Sequence, residues 1–136
     1  MGLAERRAIK EFETNHFPLL KQEIDQAANT EVAVEVKWET LAVENQAHLY
    51  DESFTKVYFQ PLILALKSIC RDSMGQEAIL TSLKQIIIQN LNGIYYGDRW
   101  ADFKEGVLIL DHEPTTNIDD VADRTQGLIK VLEKGL

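Results

Sequence analysis

The sequence predicts one α+β domain over residues 1–136, in the order α-β-α-α-β-β-α, with helices packed on one face of a small, mostly antiparallel sheet. Three observations carry this. Apolar residues recur at helical spacing through residues 3–28, 51–71, 73–87 and 117–134. The segment Glu31-Val32-Ala33-Val34-Glu35-Val36-Lys37-Trp38 alternates apolar and polar residues. The run Gly106-Val107-Leu108-Ile109-Leu110-Asp111-His112-Glu113-Pro114 is aliphatic, bounded by Gly and Pro, and as long as a buried strand. A chain of 136 residues, 45% hydrophobic and 26% charged, is large enough for a core that needs no disulfide or metal staple.

In residues 3–28, Ile9, Phe12, Leu20, Ile24 and Ala27 form an amphipathic stripe. Pro18 has no N–H for the Thr14 carbonyl, so the helix kinks there or a second helix begins with Pro18 in its first turn. His16 lies beside that break and reads as a partly buried histidine. In the alternating segment Val32, Val34, Val36 and Trp38 face the core while Glu35 and Lys37 face water, which places the strand in an antiparallel or edge position. The two charges discourage edge-to-edge pairing, although an exposed Trp38 would open a route to a homodimer across that edge. Residues 42–50 form a polar connection.

Asp51 is the expected N-cap of a long helix through about Arg71, apolar around most of its circumference and therefore largely buried. Pro61 falls inside it and calls for a bend, or for a helix start near Gln60. Ser73-Met74-Gly75-Gln76 has the form of a capping box and opens the next helix. Ile86-Ile87-Ile88 favours extended structure, so the chain turns into a strand through Leu91, ahead of an Asn92-Gly93 turn. Ile94-Tyr95-Tyr96 reads as a further short strand and residues 97–106 as a loop. With only a modest, helix-free connection, strands 86–91 and 107–112 are expected to pair antiparallel. The last helix follows Asn117, with Asp119, Asp120 and Asp123 near its start, Lys130 and Lys134 near its end, and Gly135 as its stop.

The net charge is −8, and it is uneven. From Asp98 to Asp123 eight acids meet only Arg99 and Lys104, so this stretch carries six of the eight net negative charges. Such a surface repels phosphate backbones and predicts no nucleic-acid partner. Apolar runs such as Leu62-Ile63-Leu64-Ala65-Leu66 fall far short of the roughly 20 residues of a membrane helix, and Glu5, Arg6 and Arg7 stand where a signal peptide needs apolar residues. The expectation is a cytoplasmic protein with no membrane contact. Cys70, the lone cysteine, sits in an apolar helical pattern and reads as a buried thiol. The glycines lack any phosphate-binding spacing, and neither a Gly-x-Ser-x-Gly elbow nor a His-Glu-x-x-His pair occurs, so no cofactor is expected.

The one compact ionisable triplet is Asp111, His112 and Glu113, the candidate catalytic residues. On a strand Asp111 and Glu113 project to one face and His112 to the other, so the three do not converge on one ion. Asp111 and Glu113 are the candidate metal ligands, with Asp98, Asp102 or Asp119 completing an oxygen shell for Mg²⁺ or Ca²⁺ if the fold gathers them. Two functions compete. One is a small metal-dependent or acid-base enzyme with its site at the end of the strand from Val107 to His112. The preferred one is a non-catalytic protein-interaction module, inhibitor- or immunity-like, in which Tyr95, Tyr96, Asp98, Trp100, Asp102, Phe103 and Glu105 form an acidic aromatic face for a basic protein partner.

Overall fold

Two prolines shape the helical layer, each by the N–H it lacks. In the computed structural model, which describes residues 1–136, α1 (Leu3–Asn15) stops at His16 and α2 (Phe17–Ala28) starts with Pro18 in its first turn, where no intrahelical donor is needed. The split, not the kink, is the outcome. At Pro61 the helical run continues instead, as α3 (Tyr50–Phe54), one π-type turn (Thr55–Phe59) and α4 (Gln60–Ile69). The Gln60 N–H reaches back five residues to the Thr55 carbonyl. In that register the Lys56 carbonyl would need a donor on residue 61, and proline has none.

Helix starts differ from expectation by a residue or two. Leu49 precedes α3, which puts Asp51 in the first turn and not at the cap. In α5 (Ser73–Ser82) the cap is Asp72, whose carboxylate accepts the Gly75 N–H at 2.9 Å, while Gln76 turns away to donate to the Cys70 carbonyl at 3.0 Å. Residues 42–50 are not a plain connection: they include a 3-10 turn, Ala47–Leu49, and the fully buried Tyr50. Cys70 is buried, and that burial pushes its thiol up from the ordinary range.

The four strands are β1 (Val34–Val36), β2 (Gln85–Gln89), β3 (Ala101–Lys104) and β4 (Val107–Asp111), in the spatial order β1-β2-β4-β3. β1 does lie at an edge. The sheet is mixed and mostly parallel, a correction to the antiparallel expectation: β1 with β2 and β2 with β4 are parallel, and only β3 with β4 is antiparallel. The reason is β3, which occupies residues expected to form a loop. The chain climbs β2, descends β3, turns at Glu105 and Gly106, and climbs β4 back into the middle of the sheet. Both turn residues have positive φ, 54° and 83°, as a two-residue hairpin requires. Ile94-Tyr95-Tyr96 forms no strand.

Alternation along the strands then sets two different faces. Ile86, Ile88, Leu108 and Leu110 are fully buried against the helices, with Val34, Val36 and Phe103 packed beside them. The row on the opposite face, Glu35, Ile87, Ile109 and Asp102 in register, is half-buried at its centre and exposed at its edges. Helices therefore cover one face, as the order of elements predicted. An aromatic seam ties α1 to the long helix: Phe12 lies 5.2 Å from Phe54 and 5.9 Å from Phe59, and Trp38 packs on Phe12 and Phe17. Trp38 is thus engaged and not an exposed edge contact. α6 (Val121–Gly135) lies over α4 and β3. No helix is long and apolar enough to cross a membrane.

Candidate functional site

The parallel strands β2 and β4 end together, and the loops that leave them, residues 90–100 and 112–120, form the top of the molecule. Asp111 closes β4 on the open side of the sheet and is 5% exposed. Its Oδ1 accepts the N–H groups of Leu91 at 3.1 Å and Asn92 at 3.3 Å, and its Oδ2 accepts Gln89 Nε2 at 3.0 Å and Asn92 Nδ2 at 2.8 Å. Four donors leave this carboxylate no free lone pair for a cation or a substrate proton. Its geometry is that of a clamp on the turn that follows β2.

Glu113 is spent in the same way on a different turn. Its two oxygens accept the Thr115 N–H, both at 3.1 Å, and the Thr115 and Thr116 hydroxyls. Asp111 and Glu113 therefore hold separate loops and do not share a ligand. Asp119 is paired with Lys56 Nζ at 2.9 Å, and Lys56, which also reaches Glu52 at 2.8 Å, is pushed up to about 12, first by Glu52 and then by Asp119. Asp98 lies beside Asp123 on α6, and Asp102 stands on the open sheet face. The residues proposed for an oxygen-rich shell are thus dispersed, and nowhere do three or more His, Cys, Asp or Glu side chains converge to hold a metal. The two candidate ligands, Asp111 and Glu113, are each engaged by protein donors of a different turn.

His112 points the other way, into the core, and is fully buried. Its Nδ1 lies 2.6 Å from the Glu113 carbonyl, which can only accept, so Nδ1 carries the proton and Nε2 presents a lone pair with no partner. The backbone carbonyl of His112 accepts the Tyr58 hydroxyl at 2.5 Å. Trp100 stands edge-to-face with the imidazole at 6.1 Å, and its Nε1–H donates to the Arg124 carbonyl at 2.9 Å. Burial, and then the Arg124 charge, hold the imidazole below its ordinary range against the pull of the Glu113 carbonyl and of the Glu113 and Asp111 carboxylates. Burial first, then Glu113 and Asp111, push the Tyr58 phenol well above its own.

Arg124 completes this node and is 1% exposed. No carboxylate lies within ion-pairing distance of its guanidinium. It caps backbone carbonyls instead: Asn117 at 2.7 Å, Ile118 at 2.6 Å and Lys56 at 3.2 Å. The last is the carbonyl that Pro61 leaves without a donor. Nε of Arg124 has no partner, and burial draws its pKa down. Sequence reasoning missed Tyr58 and Arg124. The available signal was that Arg124, Leu128 and Leu132 share one i, i+4 row, so a charge stands on the buried stripe of α6 and needs partners there.

The aromatic face divides. Tyr95 and Tyr96 are 46% and 53% exposed, their rings 4.4 Å apart, and Leu91 beside them in the same loop is 58% exposed. This loop is fixed, not trailing: the Glu113 N–H donates to the Ile94 carbonyl at 2.7 Å, and Asn117 Nδ2 donates to the Tyr95 carbonyl at 2.7 Å. Gly97 crosses α6 at Gly127 so closely that a Cβ on Gly127 would stand 2.0 Å from the Gly97 carbonyl oxygen. Trp100 is no surface anchor, because its ring is buried in the node. Phe103 is half-buried against Gly135. Glu105 turns at the far end of β3, about 14 Å of strand away from the tyrosines. What stays together is Tyr95, Tyr96 and Asp98, with Leu91 exposed earlier in the same loop and Gly97 against the acidic start of α6.

No known protein family, curated protein or solved structure matches this chain.

Proposed function

We propose that the loop of Leu91, Tyr95, Tyr96 and Asp98 is a docking surface for a basic protein partner, and that the protein acts as a non-catalytic interaction module. The observation that carries this reading is the pair of adjacent, half-exposed tyrosines on a loop held by backbone hydrogen bonds. Large aromatic side chains ordered before binding lose little entropy on docking and supply most of the energy at protein interfaces. Asp98 lies close enough to Tyr96 to act on its phenol, and with Asp123, which lines the same cleft, it would steer a cationic surface towards the pair. The occupied state of Asp111 and Glu113 supports the same reading, since chemistry at either would first have to displace protein donors.

The test starts from capture and identification of the partner, followed by kinetics on the purified pair. Replacing Tyr95 and Tyr96 together with Ala is expected to cost about 2 kcal/mol or more, roughly thirtyfold in Kd. Asp98→Asn with Asp123→Asn is expected to slow association and flatten its salt dependence, whereas Glu105→Gln, at the other end of the sheet, leaves both unchanged. Equal affinity for the wild type and the tyrosine variant would sink the reading.

A further inference from the structure

We infer that His112 is a pH-sensitive latch for the docking loop: uptake of a proton at Nε2 opens the node and frees residues 94–98. The inference concerns regulation of the surface proposed above, and its effect on docking rests on that reading; the latch itself does not.

The geometry makes a charged His112 incompatible with the closed node. The ring is fully buried, Nδ1–H is already given to the Glu113 carbonyl, and a proton on Nε2 would find no acceptor. The groups facing it are known from each element. From α6 comes the Arg124 guanidinium, a cation with no carboxylate within ion-pairing distance, felt by Asp120, Asp123 and Asp119 from further off; from the π-type turn comes Tyr58, a neutral phenol; from the loop before β3 comes the uncharged Trp100. In its own segment, just past the end of β4, Asp111 and Glu113 pull in the opposite direction, but their oxygens are committed to the turns at 89–92 and 115–116. A second buried cation beside Arg124 is relieved by opening to water.

A connected set of bonds carries that opening to the tyrosines. His112 holds the Glu113 carbonyl, the Glu113 N–H holds Ile94, and Asn117 holds Tyr95. Arg124 in turn holds the carbonyls of Asn117 and Ile118. The fastenings of Ile94 and Tyr95 therefore converge on the node, while Leu91 and Asn92 stay held by Asp111.

The sign follows from the lowered imidazole. An opened loop binds the proton at the ordinary histidine value, about 6.5, and the closed one only below it. The latch is fully closed above that value and weakens as pH falls through the window beneath it. One proton taken up per opening raises the opening constant by about tenfold per pH unit within that window.

Amide protection factors, normalised to the free-peptide rate at each pH, test this on the partner-free protein between pH 7.5 and 5.5. Protection at Glu113, Thr115 and Arg99 is expected to fall by up to about tenfold per pH unit below 6.5, while Ile87 and Ile109 in the sheet hold constant. His112→Asn keeps a donor for the Glu113 carbonyl, takes no charge, and is expected to flatten the profile. Constant loop protection, or a fall shared equally by the sheet, overturns the latch. Should the variant fail to fold, ¹⁵N spectra of the wild-type imidazole decide: a charged ring with the loop amides still protected overturns it, and charging only as protection is lost supports it. Failure of docking shows separately, as an unchanged Kd in the Tyr95 and Tyr96 variant with the latch intact.

Discussion

Asp111 turns to the open side of the sheet and has four donors on two oxygens, whereas His112, one residue on, turns into the core and leaves Nε2 with none. Both are buried, and both fasten a loop to the end of the same strand. The difference lies in what surrounds each charge. Asp111 meets N–H groups from a turn that folds over it, so a full negative charge is solvated by protein. His112 meets a guanidinium, an indole and a phenol, so only its neutral form is. A saturated clamp gives permanence; an unsaturated one gives a position whose fit depends on its proton.

Breaking the saturated side is expected to cost most. Asp111→Ala strands the buried amide of Gln89 and three donors of Leu91 and Asn92, and should lower unfolding free energy in urea by about 3 kcal/mol or more. Asp111→Asn, which keeps one carbonyl acceptor, should recover part of it. On the other side, Arg124→Met orphans three carbonyls but also removes an unpaired buried cation, so a smaller loss of about 2 kcal/mol is expected in the same titration. That variant sharpens the contrast as well: without the guanidinium, ¹⁵N titration should find the His112 pKa moved back up towards 6.5. The smallest effect, about 1 kcal/mol, is expected of Tyr58→Phe, which removes the single hydroxyl that caps the His112 carbonyl. A cost at Tyr58 equal to that at Asp111 would show that the core-facing side is the stronger clamp and reverse the comparison.

The opposed directions of Asp111 and His112 are legible in the amino-acid order, because strand periodicity of two follows from Leu108 and Leu110 being core. The helices are legible from apolar spacing; Pro18 marks a break between two of them, and Pro61 an irregular turn within a continuous run. The direction of β4 is not. Ala101-Asp102-Phe103-Lys104 does alternate, and Glu105-Gly106 is a two-residue turn, but four residues with one large apolar side chain carry little signal against a loop of acids and glycine. Without β3 the chain has no way to return, and the pairing of β2 with β4 reads antiparallel. The partners of Asp111 are hidden for another reason: Gln89 and Asn92 look like ordinary turn residues, and only folding brings their donors to one carboxylate. The charged sequence neighbours of Trp100 suggest a surface position, though its ring turns inward against His112.

The π-type turn couples two distant positions. Pro61 withdraws a donor from the long helix, and Arg124, far along the chain, supplies one to the carbonyl left behind. A residue with an N–H at position 61 could close that turn from within the helix and leave the guanidinium one carbonyl fewer to hold. The two positions answer one vacancy between them, so the stability costs of substitutions at 61 and 124 are expected not to add: a donor restored at 61 leaves Arg124 only the Asn117 and Ile118 carbonyls to hold.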